Sequence, residues 1–325
     1  MSGKRSGLRR ALVTGGAGFI GHHLVRALLA EGLEVSVLDD LSMGRRENLP
    51  PAVRFVEGDV RDAGRVDEAL EGVDCVFHEA AVVSIRASLE GFLRDAEVNL
   101  MGTLNLLDRM GRKKVRKAIL ASSMAVYADS PTPAPLCEDA PTRPSSPYGV
   151  AKLACEQYWL LLCRQAGIEG TVLRYFNTYG PGQTPTPYVG VITIFVDGLL
   201  RGEPPTVFGD GEQRRDFVHV SDVVGANLAA LQGSAPGRIF NVGTGRATSV
   251  NQIAERLVER LLPGAEPRRA AAQPGEMRNA IADTTAIEQA LGWRASRREL
   301  DLDEVIAYWR ERAEGGARRP AGSPA

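Results

Sequence analysis

A single glycine-rich turn constrains the fold of this chain more than any other feature of its sequence. The turn is the stretch from Gly15 to Gly21 (GGAGFIG), and it lies between the apolar run Arg9–Thr14 and a segment with helical apolar spacing, Phe19–Glu31. Glycines at 15, 18 and 21 allow, in that order, a tight turn, close approach of the backbone to a pyrophosphate, and close packing of helix on strand. The pattern predicts a strand, a turn and a helix that together bind a dinucleotide.

An acidic residue completes this dinucleotide-binding pattern. Asp39 directly follows the next predicted strand, Glu34–Leu38, and stands 18 positions after Gly21. Its carboxylate would accept hydrogen bonds from the hydroxyls of the adenosine ribose and would repel a 2′-phosphate. The predicted cofactor is therefore NAD rather than NADP, although the nearby Arg45 and Arg46 weaken the discrimination.

Strands and helices alternate along the first half of the chain. Further strands are predicted at Val53–Val56, Val73–His78, Ala118–Ala121 and Gly170–Tyr175, and helices at Asp62–Leu70, Asp95–Met110 and Tyr148–Gln165. Such alternation implies right-handed crossovers and a parallel sheet. We therefore predict an α/β fold whose first domain, residues 9–180, is a Rossmann-type doubly wound parallel sheet that binds NAD.

The character of the chain changes after Gly180. Proline and glycine are dense through Gln183–Gly190, and shorter elements follow. These are helices at Val191–Leu200 and Val220–Leu231 and strands near Thr206–Phe208 and Arg238–Asn241. We predict a smaller α/β C-terminal substrate domain over residues 181–312, with some later segments returning to the first domain, and a flexible tail over residues 313–325.

Composition excludes several classes of protein. The 325 residues carry 39 Lys and Arg against 40 Asp and Glu, which argues against a dedicated nucleic-acid binder. No apolar run is long enough for a membrane span, and the basic start lacks the apolar segment of a signal peptide. The cysteines Cys75, Cys137, Cys155 and Cys163 form no CxxC pair, so we predict no metal site and a cytoplasmic, reducing location.

A tyrosine and a lysine four residues apart indicate acid–base chemistry. Tyr148 and Lys152 would share one face of a helix, and a neighbouring ammonium group lowers the pKa of a phenol from about 10. Ser123, 25 residues upstream of Tyr148, ends a predicted strand and could share a hydrogen bond with a substrate oxygen. The three side chains together predict general base catalysis on a hydroxyl group.

Asp59 and Val60 follow the third predicted strand, and two interpretations of Asp59 are open. Its carboxylate could contact the adenine amino group of the cofactor. Alternatively, it could belong to a helix cap near Asp62.

Nine ordered motifs carry a resemblance to a known family. They are TGGAGFIG (14–21), DDLSMGRREN (39–48), GDVRD (58–62), HEAA (78–81), SSMAVY (122–127), YGVAK (148–152), RYFNTYGP (174–181), GDGEQRRDFVHVSD (209–222) and NVGTG (241–245). The chain resembles the extended short-chain dehydrogenase/reductases and, within them, the NAD-dependent nucleotide-sugar epimerase/dehydratase group. The resemblance covers about residues 9–312.

The resemblance implies roles for individual residues. It implies Tyr148 as the catalytic base, Lys152 as the residue that tunes this base and holds the nicotinamide ribose, and Ser123 as the third catalytic member. Besides Tyr148 and Lys152, the residues that match NAD contacts are Gly15, Gly18, Phe19, Ile20, Gly21, Asp39, Ser42, Gly44, Asp59, Val60, Ala80, Ala81 and Asn99. Besides Ser123, those that match substrate contacts are Asn177, Val191, Arg215, Arg278 and Ala280. The helices at Asp95–Met110 and Tyr148–Gln165 resemble those that pair across a homodimer.

Departures from the family pattern bear on the reaction. Dehydratases of this group carry an Asp-Glu pair just after the serine or threonine, and UDP-glucuronate decarboxylases carry a Glu nearby. This chain has Met124 and Ala125 there, which cannot transfer protons. We therefore expect a nucleotide-sugar 4-epimerase acting on a UDP-hexose or UDP-N-acetylhexosamine, by transient oxidation at C4 and return of the hydride to the opposite face. A nucleotide-sugar dehydratase, or a UDP-glucuronate decarboxylase or epimerase of the same fold, is the alternative.

Four positions bear on the sugar and the diphosphate. Thr184 stands near the place where uronic-acid epimerases have an arginine, so a uronic acid is not favoured. Ala280 stands where epimerases restricted to glucose and galactose carry a large aromatic residue. Its small side chain would either leave room for an N-acetyl group of the sugar or only pack against its neighbours in the protein. Gln273 replaces a common diphosphate-binding arginine; Arg278, Arg269 or Arg268 could substitute for it, or the nucleotide could be held differently.

Glu79 occupies a position where the family more often has leucine. A buried carboxylate beside the nicotinamide would be costly unless paired. We expect it to be solvated or hydrogen-bonded.

Overall fold

A seven-stranded parallel sheet forms the centre of the molecule, which a computed structural model describes over residues 7–83, 85–130, 132–184, 190–272 and 277–317. The strand order is β3-β2-β1-β4-β5-β6-β11. The strands are β1 (Arg10–Thr14), β2 (Glu34–Asp39), β3 (Arg54–Glu57), β4 (Cys75–His78), β5 (Lys117–Ser123), β6 (Glu169–Tyr175) and β11 (Arg238–Val242). Most of their residues are buried on both faces, as expected for a sheet covered by helices on each side. The predicted doubly wound α/β fold is confirmed.

Two layers of helices cover the sheet. On one face lie α1 (Phe19–Ala30), α8 (Val220–Gln232) and α10 (Thr285–Leu291), and on the other lie α2 (Ala63–Ala69), α5 (Gly102–Lys113) and α6 (Pro147–Ala166). Helix α6 begins where the sequence predicts, because the Ser146 hydroxyl accepts the Gly149 N–H at 3.1 Å and Pro147 occupies the first turn.

The predicted helix Asp95–Met110 is not a single α-helix. The chain passes through α3 (Ile85–Glu90), α4 (Phe92–Asp95) and a π-helical segment, Ala96–Met101, before α5 begins. Single 3₁₀ turns occur at Arg46–Asn48 and Met124–Val126. The π segment places Asn99 against Val82 in the loop after β4, a position that uniform α-helical spacing does not predict.

The second half of the chain builds a separate apolar core. This core lies among α7 (Val191–Leu200), α9 (Val250–Leu261) and α11 (Asp303–Ala317). Three small sheets accompany it: β7 (Asn177–Tyr179) with β10 (Phe217–His219), β8 (Thr206–Phe208) with β13 (Arg268–Ala270), and β9 (Arg214–Arg215) between β12 (Thr248–Ser249) and β14 (Asn279–Ala280).

Some segments beyond residue 181 pack with the first half of the chain. The strand β11 adds to the edge of the main sheet, with Arg238–Val242 beside Thr171–Tyr175 of β6, and α8 and α10 cover the same sheet. Helix α11 continues to Ala317, so residues 313–317 of the predicted tail are helical. Residues 318–325 lie outside the described residues.

Three further features of the described residues bear on protein class. No helix in them combines the length and apolar character needed to cross a bilayer. No group of three or more His, Cys, Asp or Glu side chains within these ranges is arranged to hold a metal ion. All four cysteines are free thiols.

Candidate active site

The glycine turn forms a closely packed cradle between β1 and α1. Gly15 has a φ of +68°, and a Cβ atom there would lie 2.7 Å from the backbone nitrogen of Ala80. A Cβ on Gly21 would collide with the carbonyl oxygen of Gly15, and one on Gly44 would lie 2.7 Å from the carbonyl carbon of Ala17. Side chains are excluded at these three positions, which leaves backbone N–H groups at the start of α1 accessible to a pyrophosphate.

Asp39 anchors the side of the cradle where an adenosine ribose would bind. Its side chain is buried, and its two oxygens accept the backbone N–H groups of Ala17 at 2.9 Å and Leu41 at 2.8 Å. Burial raises the pKa of Asp39, while these two hydrogen bonds lower it. Each carboxylate oxygen keeps a lone pair for a ribose hydroxyl, so the site fits NAD. The Ser42 hydroxyl donates instead to Asp40, at 2.6 Å.

Four further residues that match NAD contacts follow two neighbouring strands of the chain: Asp59 and Val60 come after β3, and Ala80 and Ala81 after β4. Asp62 rather than Asp59 caps α2, by accepting the Gly64 N–H at 2.8 Å. Asp59 instead pairs with the Arg61 guanidinium at 2.7 Å, which lowers the pKa of Asp59. Its contact with adenine stays a prediction.

The buried side chain of Asn99 forms hydrogen bonds with the loop that follows β4. Its Oδ1 accepts the Val82 N–H at 2.9 Å, and its Nδ2 donates to the Val82 carbonyl at 3.1 Å and to Asp95 at 3.0 Å. The side chain therefore fixes the backbone next to Ala80 and Ala81. In this structure Asn99 supports the loop that would contact the cofactor.

The structure brings Ser123, Tyr148 and Lys152 together. Ser123 is the last residue of β5, and Tyr148 and Lys152 lie one turn apart in α6. The Ser123 hydroxyl lies near enough to the phenol of Tyr148 to lower the pKa of that phenol. The Lys152 ammonium lies 6.0 Å from the centre of the Tyr148 ring and donates to the Ala121 carbonyl at 3.0 Å. The three side chains thus lie close together, and their catalytic role stays a prediction.

The prediction that the pKa of Tyr148 lies below its ordinary value is wrong. Burial raises the pKa of Tyr148 well above its ordinary value, the Ser123 hydroxyl lowers it, and the charges of Asp95, Cys155 and Glu79 raise it further. Burial also lowers the pKa of Lys152. Desolvation outweighs the attraction between phenolate and ammonium, because both groups are enclosed.

A buried ion pair behind these residues is absent from the sequence-based prediction. The carboxylate of Glu156 accepts hydrogen bonds from Arg174 Nη2 at 2.7 Å, from Arg174 Nε at 2.9 Å and from the Ser122 hydroxyl. Glu156 stands one turn beyond Lys152, and Ser122 precedes Ser123. A lone arginine in the apolar strand Gly170–Tyr175 is the sequence signal that indicates such a pair.

The predicted hydrogen bonding of Glu79 is confirmed. Its carboxylate accepts the hydroxyl of Tyr175 at 2.8 Å. The neighbouring His78 is buried between the hydroxyls of Thr14, at 2.7 Å, and Thr103, at 2.8 Å, so it is a structural residue of β4.

Two residues that match diphosphate contacts lie on short strands beside the sheet. The Oδ1 atom of Asn177, on β7, is buried and has no hydrogen-bond partner among the described residues. Arg215, on β9, is buried, and its Nη1 donates to the carbonyl oxygens of Arg214 at 3.0 Å and Arg278 at 3.4 Å. The backbone thereby orients this guanidinium group.

The remaining substrate candidates have different surroundings. The side chain of Arg278 is exposed and pairs with Asp210 at 2.7 Å. Ala280 is fully buried in an apolar cluster with Tyr127 and Phe176. Val191 is half-buried at the start of α7.

Three further positions concern the departures from the family pattern. Ala125 is buried and Met124 half-buried in the turn after β5, next to Ser123. Gln273 lies outside the described residues.

Known proteins resemble the chain over almost its whole length. A model of the NAD-dependent epimerase/dehydratase family matches residues 11–243. The UDP-glucose 4-epimerase of Mycolicibacterium smegmatis is 38% identical over 304 residues, which cover 92% of this chain and 96% of that protein. The crystal structure of a Thermotoga maritima UDP-glucose 4-epimerase with UDP-glucose has 38% identity, a TM-score of 0.88, and coverage of 94% of this chain and 99% of that one. A UDP-N-acetylglucosamine 4-epimerase of Methanobrevibacter ruminantium, in complex with UDP-N-acetylmuramic acid, has 32% identity, a TM-score of 0.88 and the same coverages of 94% and 99%.

Proposed function

The chain belongs to the NAD-dependent epimerase/dehydratase family, and from this premise we propose that it epimerises UDP-hexoses or UDP-N-acetylhexosamines at C4. It is an enzyme, and its cofactor is NAD. The observation that carries the proposal is the arrangement of Ser123, Tyr148 and Lys152 beside Met124 and Ala125. The site holds one general base for a hydroxyl group and no second acid–base pair at the turn after β5.

The chain's own residues have clear tasks in such a reaction. Tyr148, as phenolate, would take the proton from the O4 hydroxyl of the sugar, and Ser123 would bridge that hydroxyl and the phenol. Lys152, held by the Ala121 carbonyl, would stabilise the phenolate. When bound, NAD would supply the acceptor for the C4 hydride and return that hydride.

Epimerisation requires the sugar to turn over while the nucleotide stays fixed. Asn177 Oδ1, which has no partner in the part of the chain that the structure describes, and the oriented Arg215 guanidinium are suited to hold the diphosphate of the nucleotide. Arg278 would contribute only after leaving its pair with Asp210. We propose that Asn177 and Arg215 keep the diphosphate in place during rotation.

The turn after β5 weighs against the dehydratase alternative. Elimination of water from the sugar needs a proton donor and a proton acceptor besides the base that acts at O4. The side chains of Met124 and Ala125 have no ionisable group, so oxidation at C4 followed by reduction is the chemistry that remains.

The size of the accepted sugar is a separate question. Ala280 is enclosed by its apolar neighbours, which favours a packing role over direct contact with an N-acetyl group. We therefore propose that any tolerance of N-acetylated sugars depends on the residues around Val191 at the start of α7.

A direct experiment tests the proposed reaction. Purified protein without added cofactor is incubated separately with UDP-glucose, UDP-N-acetylglucosamine and UDP-glucuronate, and the products are identified by NMR. Mixtures of C4 epimers from either of the first two substrates support the proposal. A keto, unsaturated or decarboxylated product supports the alternative instead. The absence of any product from all three, with NAD added back, contradicts the proposal.

We also propose that the enzyme is a homodimer whose subunits meet through α3, α4, the π segment and α6. Large apolar side chains are exposed along this surface: Leu89, Phe92, Leu93, Met101, Val150, Tyr158 and Leu161. Such a patch marks an interface. A second copy is the occupant that we propose, because helices of this region pair across homodimers in the resembling family.

The oligomeric state tests the proposed dimer. Leu161→Arg should shift the mass measured by light scattering from two subunits to one. Ile194→Arg, at an exposed apolar residue of α7, should leave the mass unchanged. Wild-type protein that is a monomer at micromolar concentration would contradict the proposal.

The free cysteines favour a reducing compartment for this enzyme. Three of the four are buried, and only Cys137 is exposed. We propose a cytoplasmic location on this basis.

A further inference from the structure

Glu79 lies close to the proposed catalytic residues and has no task in the reaction described above. Its hydrogen-bond partner Tyr175, on β6, stands directly opposite Ser123 in the register of the parallel strands β5 and β6. Glu79 follows β4 directly and precedes Ala80, whose backbone nitrogen packs against Gly15. Its side chain is half-buried. Its Oε1 atom accepts the hydroxyl hydrogen of Tyr175 at 2.8 Å.

The direction of this hydrogen bond is fixed by a third residue. Nδ2 of Asn227, on α8, lies 2.7 Å from the Tyr175 hydroxyl oxygen and 3.0 Å from the Val223 carbonyl oxygen. An amide nitrogen only donates, so the Tyr175 hydroxyl accepts from Asn227 and must donate its own hydrogen to Glu79. The network therefore presents a donor to an acceptor oxygen of Glu79, which stabilises its carboxylate form.

The charge of Glu79 acts on the catalytic pair. The carboxylate raises the pKa of both Lys152 and Tyr148. Burial raises the pKa of Glu79 to about 7, while Tyr175 and Lys152 lower it. The other ionisable groups around the pair are Asp95, Cys155 and Glu156.

We propose that Glu79 is a positioning residue whose charge sets the pH range in which Tyr148 loses its proton. This inference rests on the proposed function, in which Tyr148 is the base. A charged Glu79 opposes a second negative charge on the phenol and favours the ammonium form of Lys152. A neutral residue in its place would let Tyr148 ionise at lower pH.

The substitution Glu79→Gln isolates this charge. Glutamine keeps an oxygen that can accept from Tyr175, and it removes the ionisable group. In NAD-loaded enzyme, the acidic limb of the pH profile of kcat should move to lower pH by on the order of one unit, as expected for one charge several ångströms away at an effective dielectric constant of about 20. Glu79→Asp, which restores the charge, should return the limb towards its wild-type position.

Two further variants separate charge from structure. Tyr175→Phe removes the hydrogen bond that lowers the pKa of Glu79, so a larger fraction of Glu79 is neutral near pH 7, and the limb should move in the same direction but less far. Glu138→Gln is the matched control. Glu138 is also half-buried with a raised pKa, and it accepts the Asn241 N–H at 2.8 Å, but it is not among the main charges on Tyr148 or Lys152 within the described residues. The pH profile of kcat for Glu138→Gln should match that of the wild-type enzyme.

A spectroscopic titration provides a readout that needs no turnover. The difference in tyrosinate absorbance between the holoenzyme and its Tyr148→Phe form follows the ionisation of Tyr148 alone. The same difference measured in the Glu79→Gln background should have a lower midpoint. Coincident midpoints, or an equal shift in Glu138→Gln, would overturn the proposal.

The two proposals can fail separately. If no variant and no wild-type enzyme epimerises a UDP-sugar, the proposed function fails, while the absorbance titration still decides the role of Glu79. If Glu79→Gln does not fold, the Tyr175→Phe variant carries the same comparison, since it retains the carboxyl group and the backbone around it.

Discussion

Removing Glu156 tests how the end of the sheet next to Ser123 is held together. Its carboxylate and the Arg174 guanidinium are 0% and 3% exposed, and they form the buried ion pair described above, with Ser122 as an additional donor. Glu156→Ala leaves the guanidinium charge in an apolar interior. Breaking a buried pair in this way costs about 3–5 kcal/mol. Arg174 keeps its hydrogen bonds to the Tyr127 hydroxyl and to the Glu138 carbonyl oxygen, both at 2.9 Å. We therefore expect the free energy of unfolding to fall by an amount near the lower limit, about 3 kcal/mol.

Urea unfolding at neutral pH with saturating NAD measures this loss. Glu68→Ala is the matched control, because it removes an ion pair with Arg65 in which the Glu68 and Arg65 side chains are 45% and 53% exposed, and it should cost at most about 0.5 kcal/mol. The double variant Glu156→Leu, Arg174→Met leaves no unpaired charge and should be more stable than Glu156→Ala. A free energy of unfolding for Glu156→Ala within about 1 kcal/mol of wild type, together with no recovery in the double variant, would refute the argument.

Three shorter predictions concern the site itself. Tyr148→Phe should lower kcat by about 10²–10⁴-fold and leave bound NAD, measured after denaturation, unchanged; retained turnover would exclude Tyr148 as the base. Gly15→Ala should lower the NAD content of the purified protein, because its Cβ would lie 2.7 Å from the Ala80 nitrogen at a φ of +68°; Gly32→Ala, also at positive φ but with open space around it, is the control for backbone strain. Asn177→Ala should raise KM for UDP-sugar more than it lowers kcat, since Oδ1 lacks a partner within the described residues; an unchanged KM would show that this atom does not hold the substrate.

Local patterns account for most of what the sequence predicts correctly. The strand, glycine turn and helix from Arg10 to Ala30 follow from residues that are neighbours in the chain. The start of α6 follows from the cap at Ser146, and the shared face of Tyr148 and Lys152 follows from helical periodicity. Such features depend on backbone sterics and hydrogen bonds within a few residues, so they are encoded locally.

Other features depend on which distant residues the fold brings into contact. The sequence offers no pattern that joins Glu79, Tyr175 and Asn227, which come from the residue after β4, from β6 and from α8. It also offers none that matches Arg174 with Glu156. The pKa of Tyr148 could not be predicted from the sequence for the same reason. The neighbouring Lys152 is visible in the sequence, whereas the burial that raises the pKa of Tyr148 is not.

The sequence alone was enough to predict the alternation of strands and helices in the first half of the chain, the dinucleotide turn and the shared helix face of Tyr148 and Lys152, because periodicity, glycine sterics and spacing act over short stretches. Only the tertiary structure decided that Arg238–Val242 joins the main sheet, that Ala280 is enclosed, and that Asn99 supports a loop. Burial and hydrogen-bond direction are properties of the assembled fold, since each depends on atoms from segments far apart in the chain.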